Sequence, residues 1–174
     1  MRESGISHVF LRPADFMQNL ADIHSHAIQT RNEIAVPAGH GRSAFLDVED
    51  VGRATASILA NPAIHAGKSY DLTGPDRLTF SEIANALSTE QGRRIRYKPV
   101  SIPRFLRQQV SDGRSVAISL VMAALYTVQR FDKAAQVSRD FEILIGNPSG
   151  DLHHYLQREH RAFAAKTNSL DQPQ

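Results

Sequence analysis

Two carboxylates three residues apart, Asp47 and Asp50, form the first pair in this sequence that invites a chemical reading. General acid–base catalysis uses carboxyls held in contrasting environments. A simpler role is favoured here: Asp50 opens an amphipathic run as a helix N-cap, and Asp47 anchors the loop before it. The eight histidines raise the question of a metal. His24 and His26 stand two apart, which on a helix turns them to different faces; His153, His154 and His160 have neither a zinc spacing nor a carboxylate motif beside them. No metal is expected. No serine sits in a Gly-x-Ser-x-Gly elbow, so hydrolase chemistry of that kind has no support. The stretch that does suggest a site is Val9 to Leu20. It reads as a strand over Ser7 to Arg12, covered on both faces and stopped by Pro13, then an irregular segment carrying Phe16, Met17 and Asn19. In an open α/β sheet ligands sit beyond the carboxyl ends of the strands, which makes this segment the place to look.

The elements that must position such a site follow from periodicity and punctuation. A helical turn or two from Asp15 would bury Phe16, Leu20, Ile23 and Ala27. Short extended pieces, Glu33 to Pro37 and Ser43 to Leu46, flank the turn signal Ala38-Gly39-His40-Gly41. A helix from Asp50 to about Ala60 presents Val51, Ala54, Ile58 and Leu59 and leaves at Asn61-Pro62. Gly67 to Thr73 is a strand stopped by Gly74-Pro75. Thr79 and Glu82 have the spacing of a capping box ahead of a stripe of Phe80, Ile83, Ala84 and Leu87, and Gly92 ends that helix. Ile95 to Val100 is extended and ends at Pro103. Ser115 to Val128 is apolar on nearly every side, as in a buried helix, a lid or an oligomer surface. A last helix from near Ser149 turns Leu152, Tyr155, Leu156 and Phe163 inward. The order of elements gives an α/β chain with an α-rich second part.

With 174 residues, 41% hydrophobic and 22% charged, the composition is that of a folded globular chain. The net charge of +2 is too small to point to nucleic acid. It is uneven: residues 1–87 hold 7 Lys/Arg against 10 Asp/Glu, and residues 88–174 hold 13 against 8. Arg93, Arg94, Arg96, Lys98, Arg104 and Arg107 concentrate the positive charge and could take phosphate or an acidic partner. A solvated face is favoured, because only Tyr97 is available for stacking. There is no cysteine, which removes disulfides and thiolate metal sites and suits a reducing cytoplasm. The first residues lack the apolar core of a signal peptide, and no apolar run reaches the roughly 18 residues of a membrane span. A cytoplasmic protein with no membrane contact is the expectation.

A series of motifs in order carries a family resemblance. Ser4-Gly5-Ile6 leads into Leu11-Arg12-Pro13 and Phe16-Met17-Gln18-Asn19; Phe45-Leu46-Asp47-Val48-Glu49-Asp50-Val51-Gly52-Arg53-Ala54 follows, then Tyr70-Asp71-Leu72-Thr73-Gly74-Pro75 and Ser81-Glu82-Ile83-Ala84 with Gly92 and Tyr97. Met122-Ala123-Ala124-Leu125-Tyr126, Val137-Ser138-Arg139-Asp140 and Gly146-Asn147-Pro148 complete it. The series resembles the NmrA-like branch of the atypical short-chain dehydrogenases, which bind NAD(P) on a Rossmann-like sheet. What it resembles is that family's C-terminal portion. The glycine-rich strand-to-helix turn that cradles a pyrophosphate is not matched: Gly39-His40-Gly41 and Gly74-Pro75 lack the third glycine and the βαβ context. The segment where family members that keep a Tyr and a Lys would carry them has no counterpart either.

The resemblance implies an incomplete Rossmann-like parallel sheet, last strands only, over residues 1–100, an α-rich substrate-side subdomain over 101–166 and a polar tail over 167–174. By resemblance Pro13, Ala14, Phe16 and Met17 line the nicotinamide edge of an NAD(P) cofactor, although Pro13 as a strand end and Phe16 and Met17 as core residues fit equally well. Asn19, Met122 and Tyr126 would face a small-molecule substrate; for Asn19 bracing the loop is the readier role, and packing explains Met122 and Tyr126 nearly as well. No catalytic residue is assigned. The implied activity is that of an NAD(P)-dependent oxidoreductase whose pocket this chain helps to shape, inactive and without its cofactor when alone. A non-catalytic NAD(P)-binding redox sensor, or a remnant acting only as an interaction partner, is the alternative. Association would use an exposed sheet edge and the helix over 115–128.

Overall fold

The computed structural model describes residues 7–132 and 135–165. The expected polar tail over 167–174 lies outside them. In chain order the strands are β1 (Phe10–Pro13), β2 (Glu33–Ile34), β3 (Arg42–Ser43), β4 (Ser69–Leu72), β5 (Leu78–Thr79) and β6 (Arg96–Tyr97). The helices are α1 (Gln18–Asp22), α2 (Ser25–Arg31), α3 (Val48–Ala60), α4 (Pro62–His65), α5 (Phe80–Gln91), α6 (Ile102–Ser111), α7 (Val116–Arg130), α8 (Asp140–Ile145), α9 (Leu152–Arg158) and α10 (His160–Phe163). This is the α/β order read from the sequence.

Strand β1 pairs in parallel with β4, Phe10 opposite Ser69 and Pro13 opposite Leu72. Pro13 has no N–H to donate and closes the strand, and the Ala14 N–H takes over the ladder by donating to the Leu72 carbonyl at 2.8 Å. One expectation is corrected: β1 is not covered on both faces. Arg12 and Pro13 are exposed, and among the described residues no strand pairs with the other edge of β1. A parallel strand is buried only when neighbours flank it, and here a single neighbour does. Exposed Arg12 makes a forked ion pair with Asp71, at 2.6 and 2.9 Å.

Behind this pair, α3 and α8 close a small core of Leu46, Ala54, Ile58, Tyr70, Leu72 and Phe141. The N-cap of α3 is Asp47 and not Asp50. Asp47 has extended backbone and accepts the Glu49 N–H at 3.0 Å, which places Asp50 inside the first turn. There Asp50 is buried, pairs with Arg53 at 2.8 Å and accepts the Gly150 N–H at 2.7 Å. Acidic groups in a first turn also meet the positive end of the helix dipole. Leu59 is likewise corrected: it is 69% exposed and does not belong to the buried stripe.

The larger core gathers Leu20, Ile28 and Ile34 with Phe80, Ile83, Leu87, Phe105, Met122, Tyr155 and Phe163. Packing therefore crosses the expected division at residue 100 in both directions, since Phe141 sits in the first core and Leu20 in the second. Helix α5 carries the expected capping box, Glu82 N–H to the Thr79 hydroxyl at 3.2 Å and Thr79 N–H to the Glu82 carboxylate at 2.7 Å, and ends at Gly92 in the left-handed region. Pro103 does not end an extended piece but lies in the first turn of α6, where its missing N–H is harmless. Helix α9 is capped by Asp151, which accepts the His154 N–H at 2.8 Å, while Ser149 bonds the Thr73 carbonyl instead. Of the basic run, Arg93 donates to the Ile28 and Phe163 carbonyls at 3.1 and 2.5 Å, and Lys98 pairs with Glu33 at 3.6 Å. Arg94, Arg96, Arg104 and Arg107 face solvent. Among the described residues no helix is long and apolar enough to cross a membrane.

Candidate functional site

The segment after β1 is laced to the one after β3: Leu46 N–H donates to the Asp15 carbonyl at 2.8 Å and Met17 N–H to the Leu46 carbonyl at 2.9 Å. Two glycines make the approach possible. A Cβ on Gly74 would stand 1.8 Å from the Phe45 carbonyl oxygen, and one on Gly41 would stand 2.0 Å from that of Gln129. Only glycine fits at such distances, so β4's exit packs directly on the Phe45 segment and the turn before β3 packs on the end of α7.

These contacts frame a cleft beyond the carboxyl end of β1. It is small, about 60 Å³ in volume, and partly open to solvent. Asp15, Asn19, Ile23 and His24 come from the segment after β1, Phe45 from the one after β3, Phe80 from the start of α5, and Met122, Leu125, Tyr126 and Gln129 from α7. The aromatic rings brace one another. Phe80 meets Phe45 and Tyr126 edge-on, both at 5.8 Å, and Phe105 meets Tyr126 edge-on at 5.5 Å.

The polar groups of the cleft are few. His24 Nε2 lies 2.9 Å from the Tyr126 hydroxyl. The imidazole is buried, and burial, reinforced by the Arg114 charge, lowers its pKa from 6.5 to about 3. It is neutral across the physiological range. Burial also raises the pKa of Tyr126, with the Asp15 charge adding to it and Arg114 opposing, so the phenol keeps its proton. Arg114 is itself tied down, donating to Gln109 at 2.6 Å and to the Ile23 carbonyl at 3.1 Å. The Ser43 hydroxyl donates to the Asp15 carboxylate. Gln129 is 2% exposed, and its side-chain nitrogen has no hydrogen-bond partner.

The structure brings three of the sequence candidates together: Asn19, Met122 and Tyr126 all line the cleft. The other four do not line it. Met17 is 1% exposed and sits in the core, Phe16 bridges to Leu46 and is half-buried, Ala14 continues the β1 ladder and Pro13 faces solvent. Three polar residues of the cleft, Asp15, His24 and Gln129, are absent from the sequence candidates. His24 enters the sequence reading only as a possible metal ligand, and among the described residues no group of three or more His, Cys, Asp or Glu gathers as a metal site would require. Gln129 lies one helical turn beyond Tyr126, a signal visible in the spacing alone once α7 is recognised.

A dinucleotide needs a place for its pyrophosphate, and neither of the two glycine clusters provides it. The Gly39-His40-Gly41 turn runs into strand β3 rather than a helix, and the room over Gly41 and Gly74 is filled by the backbone of Gln129 and Phe45. Those glycines serve chain packing, not phosphate approach. Tyr97 has a similarly structural role, since its hydroxyl donates to the Gly39 carbonyl at 2.8 Å, and burial pushes its pKa up to about 12.

The NmrA-like family model matches residues 1–156. This chain belongs to the NmrA-like family. The NAD(P)H azoreductase of Xenophilus azovorans is 28% identical over 165 residues, covering 95% of this chain and 57% of the azoreductase. The triphenylmethane reductase of Citrobacter sp., solved as a complex with NADP(H), superimposes with a TM-score of 0.80 at 25% identity, covering 90% of this chain and 54% of that one. The NADPH-dependent quinone oxidoreductase of Escherichia coli gives a TM-score of 0.84 over 91% of this chain and 57% of that one; at 24% identity it bears on the fold alone. The chain thus spans about half the length of the relatives it matches. The family resemblance and the Rossmann-like α/β class drawn from the motif series are both borne out.

Proposed function

We propose that this chain is the substrate-side portion of an NmrA-like NAD(P)-dependent oxidoreductase, shaping the pocket in which a small molecule meets the nicotinamide. The observation that carries the reading is the cleft beyond β1, where Asn19, Met122 and Tyr126 converge from segments a hundred residues apart in sequence. In this reading Pro13, Ala14, Phe16 and Met17 support the nicotinamide edge mainly through backbone and core packing. The bound group would supply the hydride; the residues here would shape the pocket, exclude water from it and hold a neutral phenol at Tyr126. Because neither glycine cluster gives the pyrophosphate a cradle, the chain alone neither holds the nucleotide nor transfers hydride.

The open edge of β1 and the outer face of α7 are the association surfaces in this proposal. Ile118, Val121, Leu125 and Val128 recur at spacings of three and four, and each is about half exposed or more. That stripe is the pattern with which helices pair. The test is thermal melting of the 174-residue chain with and without NADPH or NADH. A preformed nucleotide site raises the midpoint by mass action. No shift is expected, whereas nucleotide oxidation is expected once a glycine-rich half from a family member is fused ahead of it. A rise with either nucleotide on the chain alone would refute the reading.

A further inference from the structure

We propose that a polar pocket beside the cleft, where Arg31 and Arg114 converge, is a binding site for a small carboxylate. The pocket has a volume of about 190 Å³ and shares Ile23 and His24 with the cleft as a common wall. Helix α2 brings Arg31 to it, α6 brings Gln109, and the turn from α6 into α7 brings Asp112 and Arg114. It has no part in the oxidoreductase reading.

The starting observation is the charge of Arg114. The side chain is half-buried and donates to the Gln109 side-chain oxygen at 2.6 Å and to the Ile23 carbonyl at 3.1 Å. Both partners are neutral, and among the described residues no carboxylate pairs with it. A guanidinium carries five N–H groups, so most of its donors remain unspent. Taking a cation out of water without a counter-charge destabilises a fold, and an anion bound from solution offsets that cost. Arg31 adds a second guanidinium. It pairs with Glu33 at 3.4 Å and reaches Asp112 only at 4.0 Å. Gln109 is 5% exposed, and its nitrogen makes no hydrogen bond to the described residues, which leaves a neutral donor beside Arg114.

The lining fixes the ligand class. A planar guanidinium fork matches the two oxygens of a carboxylate. Ile23, Ala27 and Ala35 give the pocket an apolar wall for a short carbon chain. A phosphate dianion would add a second negative charge to a pocket that already holds Asp112, and a single charge suits it better. Occupancy has a consequence for the cleft. The Arg114 charge acts on the buried His24 imidazole, which lies 2.9 Å from the Tyr126 hydroxyl, so a carboxylate that offsets this charge is felt in the cleft through His24.

Butyrate, butyramide and inorganic phosphate serve as probes: a small carboxylate, its neutral counterpart and an anion of another shape. Each is titrated into the 174-residue chain at constant ionic strength and followed by NMR at the His24 imidazole. Wild type is expected to give a saturable shift with butyrate, and to bind butyramide and phosphate more weakly. Arg114→Gln should weaken butyrate by about tenfold or more, the effect of losing a charge-assisted hydrogen bond. Gln109→Glu, which has the shape of the native side chain and keeps the Arg114 contact, should abolish butyrate binding because its own carboxylate neutralises Arg114. Arg94→Gln removes the same charge from a solvent-facing site and should leave butyrate binding unchanged. Wild type with no saturable shift, butyramide or phosphate binding as tightly as butyrate, Gln109→Glu binding butyrate as wild type does, or Arg94→Gln weakening it as much as Arg114→Gln each overturns the site. None of these results bears on the oxidoreductase reading, which the nucleotide melting experiment tests separately.

Discussion

His24 should make this protein acid-sensitive well above the range of its carboxylates. Its folded-state pKa is about 3 against an ordinary 6.5, because burial removes the water that would solvate an imidazolium and Arg114 adds its charge. As pH falls through 6.5 the unfolded chain takes up this proton and the folded chain does not. Stability is therefore unaffected by His24 above about pH 7.5, where both forms are neutral, and declines below it. At pH 5 the deficit from this group is about 2 kcal/mol, from the ratio of protonated to neutral imidazole in the unfolded state. Urea unfolding of wild type and His24→Gln at pH 8 and pH 5 isolates it. Glutamine can still meet the Tyr126 hydroxyl and does not titrate, and the other seven histidines are common to both chains. The wild type should lose about 2 kcal/mol more than the variant between the two pH values. Equal losses would refute the reasoning, since they would mean that the folded imidazole protonates as freely as the unfolded one.

Two further outcomes follow from packing and exposure. Gly74→Ala should lower stability by about 1–3 kcal/mol or more, because the new Cβ meets the Phe45 carbonyl, while Gly52→Ala, whose Cβ meets nothing within 4 Å on helix α3, should raise it by about 0.5–1 kcal/mol; chemical denaturation of the two variants compares them directly. Val121→Glu with Val128→Glu, both on the exposed side of α7, should shift a self-associating chain toward monomer in sedimentation velocity while moving unfolding free energy by no more than about 0.5 kcal/mol each.

Local features were legible wherever a few neighbouring residues decide the outcome. The Thr79–Glu82 box, the Gly92 cap and the stripe from Phe80 to Leu87 depend on contacts within one or two helical turns, so sequence spacing specifies them. Asp50 shows where that reasoning slips. Asp47 and Asp50 are both sound caps by residue type, and the choice rests on a loop held by Gln18 and Arg158, which donate to the Asp47 carboxylate at 2.7 and 2.8 Å from 29 residues upstream and 111 downstream. Periodicity places Leu59 inward, yet among the described residues the sheet that α3 covers is two strands wide, and Leu59 is left in solvent.

The sequence by itself determined the family, the α/β class and the strand-to-loop segment beside which a cleft lies, because ordered motifs and short-range punctuation are properties of the chain. Tertiary structure decided the rest. It showed that Asn19 and Tyr126 share a cleft, that His24 is a buried neutral partner of Tyr126, that Gln129 is left with an unpaired amide, and that Gly41 and Gly74 serve close backbone packing. Each of those facts depends on which distant segments exclude water together, and burial of that kind is not written in any local pattern.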